Sequence, residues 1–184
     1  MKRYAAALTL ILLALALPRA GRAGVDAAGE YEIKAAMYVN LLRLVDWPEV
    51  AGGDASAAIV IGVFGSEDMA RSLEVIALAK SISRSRGIAV KRISAGASPA
   101  GCQSLFIGGS DRKKTEALLQ AVGATAILTV GENERFLDQG GMIDLVLTDD
   151  RVQVGVNLDV TRRAGLTISS QLLKIAAVKK GGGK

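Results

Sequence analysis

Apolar and polar positions alternate along the chain in a pattern that predicts an α/β fold. The uninterrupted apolar run at 58–64 (AIVIGVF) is typical of a central strand covered on both faces. Shorter apolar runs at 88–93, 104–107 and 126–130 predict three further strands, and segments with helical periodicity separate most of them. This alternation is the pattern of the α/β class. We therefore expect a single domain with a mixed sheet and helices packed on the sheet.

The segment from Glu30 to Val45 has helical periodicity and is apolar on two sides. One stripe contains Ile33, Met37, Leu41 and Leu44, and the other side contains Ala35, Tyr38, Val39 and Leu42. Glu30 and Lys34 on this helix are spaced to form an i,i+4 ion pair. A helix that is apolar on both sides is expected to pack against a neighbour on each side. The second side predicts either another layer of the same domain or a contact with a second subunit or partner. Trp47-Pro48 should end the helix, because the residue before a proline avoids the helical conformation.

Three further segments predict helices between the strands. Residues 66–80 and 110–122 are expected to be helical, with Ser66 and Ser110 as N-caps. Residues 132–139 predict a short helix that two glycines stop.

The segment 143–156 predicts an antiparallel hairpin with a two-residue turn at Asp149-Asp150. In that register the facing apolar pairs on one face are Ile143/Val156, Leu145/Val154 and Leu147/Val152. A slip by one residue would move every apolar side chain to the other face, so the register is strongly specified. Aspartate tolerates the positive φ angles that such a turn requires.

The N-terminus has the layout of an export signal. Lys2 and Arg3 precede the apolar run 5–17, and small residues near Ala23 suit a signal peptidase. The run is shorter than the roughly 20 apolar residues that cross a bilayer as a helix. An uncleaved membrane anchor is the alternative interpretation.

Cleavage near Ala23 divides the chain into three parts. These are a signal peptide at 1–23, a folded domain at 24–178 and a disordered tail at 179–184. The signal carries four basic residues and no acidic ones, so its removal lowers the net charge from +5 to +1. With aromatic residues at only 4% of the chain, neither charge nor stacking favours nucleic-acid binding.

The sequence contains no histidine and a single cysteine, Cys102. The missing histidine excludes Ser-His-Asp and Cys-His catalysis and histidine ligation of a metal. A lone cysteine excludes an internal disulfide, and we expect Cys102 to be buried, with pairing between chains as the alternative. These observations favour a non-enzymatic protein with no cofactor and no metal.

Strand-end turns and one basic segment are candidates for anion binding. Gly65-Ser66 and Gly108-Gly109-Ser110 each join a strand to a helix, but neither fits a nucleotide-binding motif, so plain connections are favoured. Arg162-Arg163 precede a last helix that Thr167 or Ser169 should cap. The apolar stripe of that helix contains Ile168, Leu172, Ile175 and Ala176. The arginines could bind a carboxylate or a phosphate, although a solvated surface is the simpler interpretation.

Four segments together resemble the YfiR-like family of exported bacterial proteins. They are EYEIKAAMYVNLLRLVDWP, CQSLFI, ILTVGENERFLDQGGMIDL and RVQVGVNLDVTRRAGLTISSQLLKIA. They occur in the family's order and cover most of the chain from Glu30 to Ala177. The resemblance implies a periplasmic α/β domain that tends to dimerise and has no known catalytic activity.

Characterised members of that family repress a membrane-bound diguanylate cyclase by binding its periplasmic sensory region. They thereby restrain cyclic-di-GMP production and biofilm formation until envelope or redox stress relieves the restraint. The resemblance thus implies a homodimeric repressor whose partner is a membrane sensor, either a diguanylate cyclase or a histidine kinase. A periplasmic small-ligand-binding protein is the alternative.

Two surfaces of this chain are candidates for those contacts. We expect a partner or dimer surface at Tyr38, Leu42 and Trp47. We expect an anion or partner contact at Asn157, Arg162 and Arg163.

Two features of the chain depart from the family pattern. The characterised relative senses redox state through cysteine pairs, whereas Cys102 is alone here. The family's last strand usually ends in a Glu-Ile-Asn-like triplet, whereas residues 155–157 are Gly-Val-Asn, which retains Asn157 only. Internal disulfide sensing and the glutamate contact therefore do not carry over to this chain.

Overall fold

The computed structural model describes residues 27–48, 57–79 and 87–179. The predicted signal peptide lies outside these residues, as do residues 180–184 of the predicted tail. Lys179, the first residue of that predicted tail, lies in the last strand of the fold. The helices are α1 (Ala27–Leu42), α2 (Glu67–Ala79), α3 (Arg112–Val122), α4 (Leu158–Arg163) and α5 (Ser170–Ile175). The strands are β1 (Val45–Asp46), β2 (Ile59–Phe64), β3 (Ile88–Arg92), β4 (Ser104–Ile107), β5 (Leu128–Gly131), β6 (Ile143–Thr148), β7 (Arg151–Asn157), β8 (Thr167–Ile168) and β9 (Ala177–Lys179).

The predicted α/β fold with a mixed sheet is confirmed. Seven of the strands form one sheet in the order β3-β2-β4-β5-β6-β7-β9. Strands β2 to β6 are parallel, β7 is antiparallel to β6, and β9 is parallel to β7. The short strands β1 and β8 pair separately and antiparallel.

Helices cover both faces of the sheet, as the unbroken apolar strands require. On one face α1, α2 and the region of α4 and α5 enclose a core that includes Tyr38, Leu73 and Leu172. On the other face α3 and the turns after β5 enclose a second core that includes Leu118 and Phe136. Alternate residues of the central strands β2 and β4 therefore enter different cores.

The predicted hairpin is confirmed in its register. Ile143 faces Val156, Leu145 faces Val154 and Leu147 faces Val152. Asp149 and Asp150 both have positive φ, at 50° and 59°, which are the values of a type I′ turn. The right-handed twist of the strands favours this turn type.

The predicted helix at 132–139 is wrong. Residues 134–140 form turns that wrap around Phe136, whose side chain is fully buried. The ring lies directly against the backbone of Gly131 and Gly141, where any Cβ would overlap it. A straight helix would not return the chain to this ring, so packing overrides the local helical propensity.

Other helix boundaries also differ from those expected. Helix α1 ends at Leu42, before the predicted end, because β1 follows it and pairs with β8. Asp111 replaces Ser110 as the cap of α3, and its side chain accepts a hydrogen bond from the Lys114 amide. Ser169 caps α5 as predicted, but the helix stops at Ile175 and the chain continues as the unpredicted strand β9.

Two apolar side chains assigned to buried stripes are exposed. Ile33 of α1 is 43% exposed and Ile175 of α5 is 67% exposed. The side of α1 that contains Ala35, Tyr38 and Leu42 is fully buried, and of the other stripe Leu41 is buried as well. Periodicity located the helix but did not indicate which apolar side faces the sheet.

Candidate functional site

The carboxyl ends of β2 and β4 form the switch point of the sheet. The chain leaves β2 for β3 on one side and then returns to form β4 on the other side. In open α/β sheets, ligands bind in the crevice at such a point. The two turns that border this crevice are the glycine turns at Gly65 and Gly108.

The two glycine turns pack closely against each other. Gly65 has a φ of +75°, and a Cβ there would lie 2.6 Å from the carbonyl oxygen of Gly108. A Cβ on Gly108 would lie 2.7 Å from Cβ of Ser66. The Ser66 hydroxyl accepts a hydrogen bond from the Met69 amide and so caps α2 as predicted. The chain's own backbone therefore fills much of the crevice.

The carboxylate of Glu132 occupies the remaining polar part of the switch point. Glu132 follows β5, and its Oε1 accepts hydrogen bonds from the amide of Gly109 and the hydroxyl of Tyr31, both at 3.2 Å. Its Oε2 lies 3.0 Å from Nζ of Lys34. The donors that could bind an anion at this turn thus bind a carboxylate of the chain itself.

Lys34 is the buried cation of this group. Its side chain is only 3% exposed, and Nζ lies 2.5 Å from Glu30 and 3.0 Å from Glu132. The predicted pair with Glu30 is therefore confirmed. Burial by itself lowers the pKa of Lys34, but the hydrogen bonds to both carboxylates outweigh burial and raise that pKa. We call Glu30, Tyr31, Lys34 and Glu132 the Lys34 clasp, because it fastens α1 to the carboxyl edge of the sheet.

The structure places Tyr38 and Leu42 inside the fold and not on an outer face. Tyr38 is fully buried and Leu42 is 2% exposed. The Tyr38 hydroxyl lies 2.5 Å from Oγ of Ser104, and burial raises the pKa of the phenol far above its usual range. The predicted surface role of these two side chains is corrected by their burial: the second apolar side of α1 packs in the chain's own core.

Trp47 lies at the end of α1 near the amino end of β4. Its ring is half-buried, and Nε1 donates a hydrogen bond to the carbonyl of Gln103 at 3.2 Å. Pro48 beside it is exposed and approaches Gly165, where a Cβ would lie 3.8 Å from Pro48 Cγ. The pairing of β1 with β8 produces this approach.

Asn157 is a buried structural residue. Its side chain accepts a hydrogen bond from the Val160 amide at 3.3 Å, which caps α4, and donates to the carbonyl of Leu137 at 3.2 Å. Arg162 and Arg163 at the end of the same helix are exposed. The structure therefore separates the three predicted contact residues into one internal cap and two surface cations.

The chain around Trp47 approaches the segment that follows α4, because β1 pairs with β8 and Pro48 lies close to Gly165. We define the β1–β8 corner as Trp47, Pro48, Arg162, Arg163 and Gly165. The corner joins residues separated by more than a hundred positions, because β1 and β8 pair at that place. No sequence pattern indicates this pairing, since each strand has only two residues.

The Lys34 clasp was missed by sequence reasoning, apart from its local pair. Glu132 stands 98 positions after Lys34, and periodicity carries no information about contacts at that separation. The available signal was a lysine on an otherwise apolar side of a helix, which requires a buried anionic partner.

No group of three or more acidic or cysteine side chains in residues 27–48, 57–79 and 87–179 is arranged to hold a metal ion. Within the same ranges, every helix is too short or too polar to cross a bilayer.

Comparison with known proteins identifies relatives of this chain. A family model described as YfiR/HmsC-like matches residues 31–177. The crystal structure of a conserved domain protein from Vibrio cholerae O1 biovar El Tor strain N16961 is similar in fold, with a TM-score of 0.57 and 13% sequence identity. The match covers 82% of this chain and 60% of that one, so this chain spans about 60% of that protein's length. A search of curated proteins finds no match.

Proposed function

The chain belongs to the YfiR/HmsC-like family, and on that premise we propose that it is a periplasmic, non-enzymatic signalling regulator. The observation that carries the proposal is the family match over residues 31–177, which includes every element from α1 to β9 in part or whole. In this proposal the first 23 residues are a signal peptide that is removed near Ala23. The remaining chain forms a homodimer outside the inner membrane.

The proposed partner is a membrane-bound sensor enzyme of the diguanylate cyclase type. A regulator of this kind restrains cyclic-di-GMP output and biofilm formation by binding the sensor's periplasmic region. Repression requires that the regulator bind the inactive sensor more tightly than the active one, because equal affinity shifts no equilibrium. A sensor with a histidine kinase output is the other partner that fits this scheme.

We assign the sensor contact to the β1–β8 corner. Burial of Tyr38 and Leu42 leaves Trp47 as the accessible part of the predicted first-helix surface. The exposed cations Arg162 and Arg163 end α4, three and two residues before Gly165, which the exposed Pro48 approaches. Partly apolar, arginine-containing surfaces are typical of the centres of protein interfaces.

For the alternative, a small-ligand-binding protein, the expected site is already occupied by a side chain of the protein itself. That interpretation placed an anion or amino acid at the strand-end turns. The Gly109 amide and Lys34 at those turns already bind the Glu132 carboxylate.

A pull-down from detergent-solubilised membranes of the source organism tests the regulator proposal. The bait is the C-terminally tagged full chain, purified from the periplasm and compared with Arg162→Glu/Arg163→Glu. The matched control is Lys113→Glu/Arg151→Glu, which changes the charge equally at exposed positions on α3 and the hairpin. We expect the wild type and the control, but not the corner variant, to recover one membrane sensor with a cyclase or kinase output domain.

Reconstitution decides whether that contact is regulatory. The recovered sensor, in liposomes, should synthesise less product when wild-type protein is added to its periplasmic side. Recovery of no sensor above background by the wild type contradicts the proposal as a whole. Equal recovery by the corner variant contradicts only the assignment to the corner.

A further inference from the structure

The face of the sheet that carries α3 has an uncovered part over β6, β7 and β9. A groove of about 440 Å³ lies there. Its floor is one row of the sheet, in which Asp144 faces Gly155 and Gly155 faces Ala177. Asp144 and Leu137 cover Gly155, so the open part of this row lies over Ala177, which is exposed.

The carboxylate of Asp144 lies in this floor without a cationic partner. The residue is 8% exposed, and its Oδ1 covers Gly155 so closely that a Cβ on that glycine would overlap it. The Gly155 amide donates a hydrogen bond to the carboxylate. Among the described residues no lysine or arginine nitrogen lies within ion-pair distance of Asp144.

The contrast with Lys34 shows how unusual this carboxylate is. Lys34 is buried to a similar degree and has two carboxylate partners. Buried charges in proteins are generally paired, because an unpaired one carries its full desolvation cost. At Asp144 that cost is visible as a raised pKa, whose largest cause is burial.

The rest of the groove lining does not supply the missing positive charge. Glu134 lines the groove and adds a second carboxylate. Lys179 also lines it, but its ammonium group pairs with Asp138. The apolar side chains of the lining on this face are those of Leu137 and Val146. The groove thus combines a net negative charge with apolar walls.

We propose that this groove binds a small organic cation of the alkylammonium or alkylguanidinium class. The charged head pairs with Asp144, and the aliphatic stem lies over Ala177 beside Leu137 and Val146. A cation paired with Asp144 compensates for the hydration that this buried carboxylate has lost. The head group therefore binds more tightly in the groove than it would at an exposed carboxylate. The volume of about 440 Å³ suits a ligand of this size. This binding is independent of the regulator role proposed above.

Isothermal titration of the full chain, purified from the periplasm, with agmatine tests the proposal. Agmatine carries a guanidinium and an ammonium on a four-carbon stem, and n-pentanol serves as the uncharged comparison. We expect saturable binding of agmatine alone. Asp144→Asn should weaken it roughly tenfold or more, as loss of a buried charge pair does.

Two further variants make the test specific to the groove. Ala177→Leu fills the floor at an exposed position, where the protein tolerates the change, and should also abolish binding. Asp149→Asn removes a carboxylate from the exposed turn of the same hairpin and should leave the affinity unchanged. The proposal is overturned if the wild type shows no saturable binding. It is equally overturned if Asp144→Asn or Ala177→Leu binds as the wild type does, or if Asp149→Asn weakens binding as much as Asp144→Asn.

Discussion

Two buried charged side chains, Lys34 and Asp144, show how local partners decide the energetic effect of a charge. Lys34 has two carboxylates within 3.0 Å, and its ionised form is favoured in the folded state. Asp144 has backbone amides only, and burial disfavours its ionised form. The two residues should therefore respond in opposite ways when their charge is removed.

Replacing Lys34 with methionine should destabilise the protein by about 3 kcal/mol. The change leaves Glu132, which is 12% exposed, without its cation while the desolvation cost remains. Urea denaturation measures the effect. Lys113→Met removes a charge from an exposed position on α3 and should change the stability by less than about 0.5 kcal/mol.

A double variant distinguishes a lost ion pair from lost packing. Adding Glu132→Met to Lys34→Met removes the unpaired carboxylate and should recover much of the stability. If the double variant is as unstable as the single one, the clasp acts through the shape of the lysine stem and not through charge.

Replacing Asp144 with asparagine should stabilise the protein near pH 7 and not at low pH. A raised carboxyl pKa means that the folded state holds the proton more tightly than the unfolded state does. The stability that this residue contributes is full below its unfolded pKa and is lost as the pH rises through its folded pKa. The melting temperature of Asp144→Asn should thus exceed that of the wild type at pH 7, and the difference should vanish in acid.

Thermal denaturation at several pH values between 3 and 8 measures the Asp144 effect. Glu32→Gln, which removes an exposed carboxylate of α1, should change the stability little across the range. A melting temperature of Asp144→Asn below that of the wild type at pH 7 would show that the carboxylate stabilises the fold through its backbone hydrogen bond.

At the scale of elements, the close approach of two strand-end turns fixes where β2 and β4 meet their helices. Gly65→Ala should cost about 2 kcal/mol or more, since the new Cβ meets the Gly108 carbonyl and the residue has a φ of +75°. Gly96→Ala is the matched control, because it has a φ of +80° with nothing within 4 Å of a Cβ. It should cost about 1 kcal/mol.

Chemical denaturation of the two glycine variants separates crowding from backbone conformation. The difference between them measures the crowding at the switch point alone. Equal costs would show that the two turns move apart without penalty, and that the crevice is open to a ligand after all.

The sequence determines local elements of this fold well and contacts between distant elements poorly. The hairpin register followed from alternation alone, since any slip exposes Leu145 and Val154 together. The side of α1 that faces the sheet did not follow, because both sides are apolar. What decides it is the fit of Tyr38 beside Ser104 and Phe106, which the sequence does not display.

The candidate sites show the same limit. Arg162 and Arg163 were identified because exposed cations are visible in the sequence, and the structure confirms their exposure. The clasp and the Asp144 groove were not identified, because both depend on residues brought together by the sheet. From the sequence alone, Gly155 only lowers the strand propensity of its segment. The structure shows that the side chain of Asp144, which faces Gly155 on the neighbouring strand, fills the space beside it.

At the scale of the whole molecule, α1 runs from the carboxyl ends of the parallel strands to their amino ends. Its first turns carry the clasp, where Lys34 reaches Glu132 after β5. The chain just beyond its last turn carries Trp47, which bonds to Gln103 before β4. The proposed sensor surface at the β1–β8 corner is thus anchored through one helix to a buried ion pair on the opposite edge. A rigid anchor of this kind lets the corner discriminate between two sensor conformations.

Oxidation cannot form an internal disulfide in this sequence, since Cys102 is its one cysteine. The side chain is 5% exposed, and burial raises the pKa of the thiol, so the reactive thiolate is scarce. We expect the native protein to resist modification by a thiol reagent such as DTNB and to react fully once denatured. Ser110→Cys adds a thiol at an exposed position and should react quickly in the native state.

The same experiment bears on how a signal relieves the proposed repression. A slow native reaction at Cys102, with a melting temperature that reductant does not change, requires that the signal arrive by binding, from a ligand or a competing protein. Rapid modification, or a disulfide-linked dimer on a non-reducing gel, would instead show that Cys102 leaves its buried place over Gly62 often enough to act as a sensor. The location of Cys102 beside Gly62 makes the first outcome the expected one, because the thiol and the strand backbone pack with no intervening side chain.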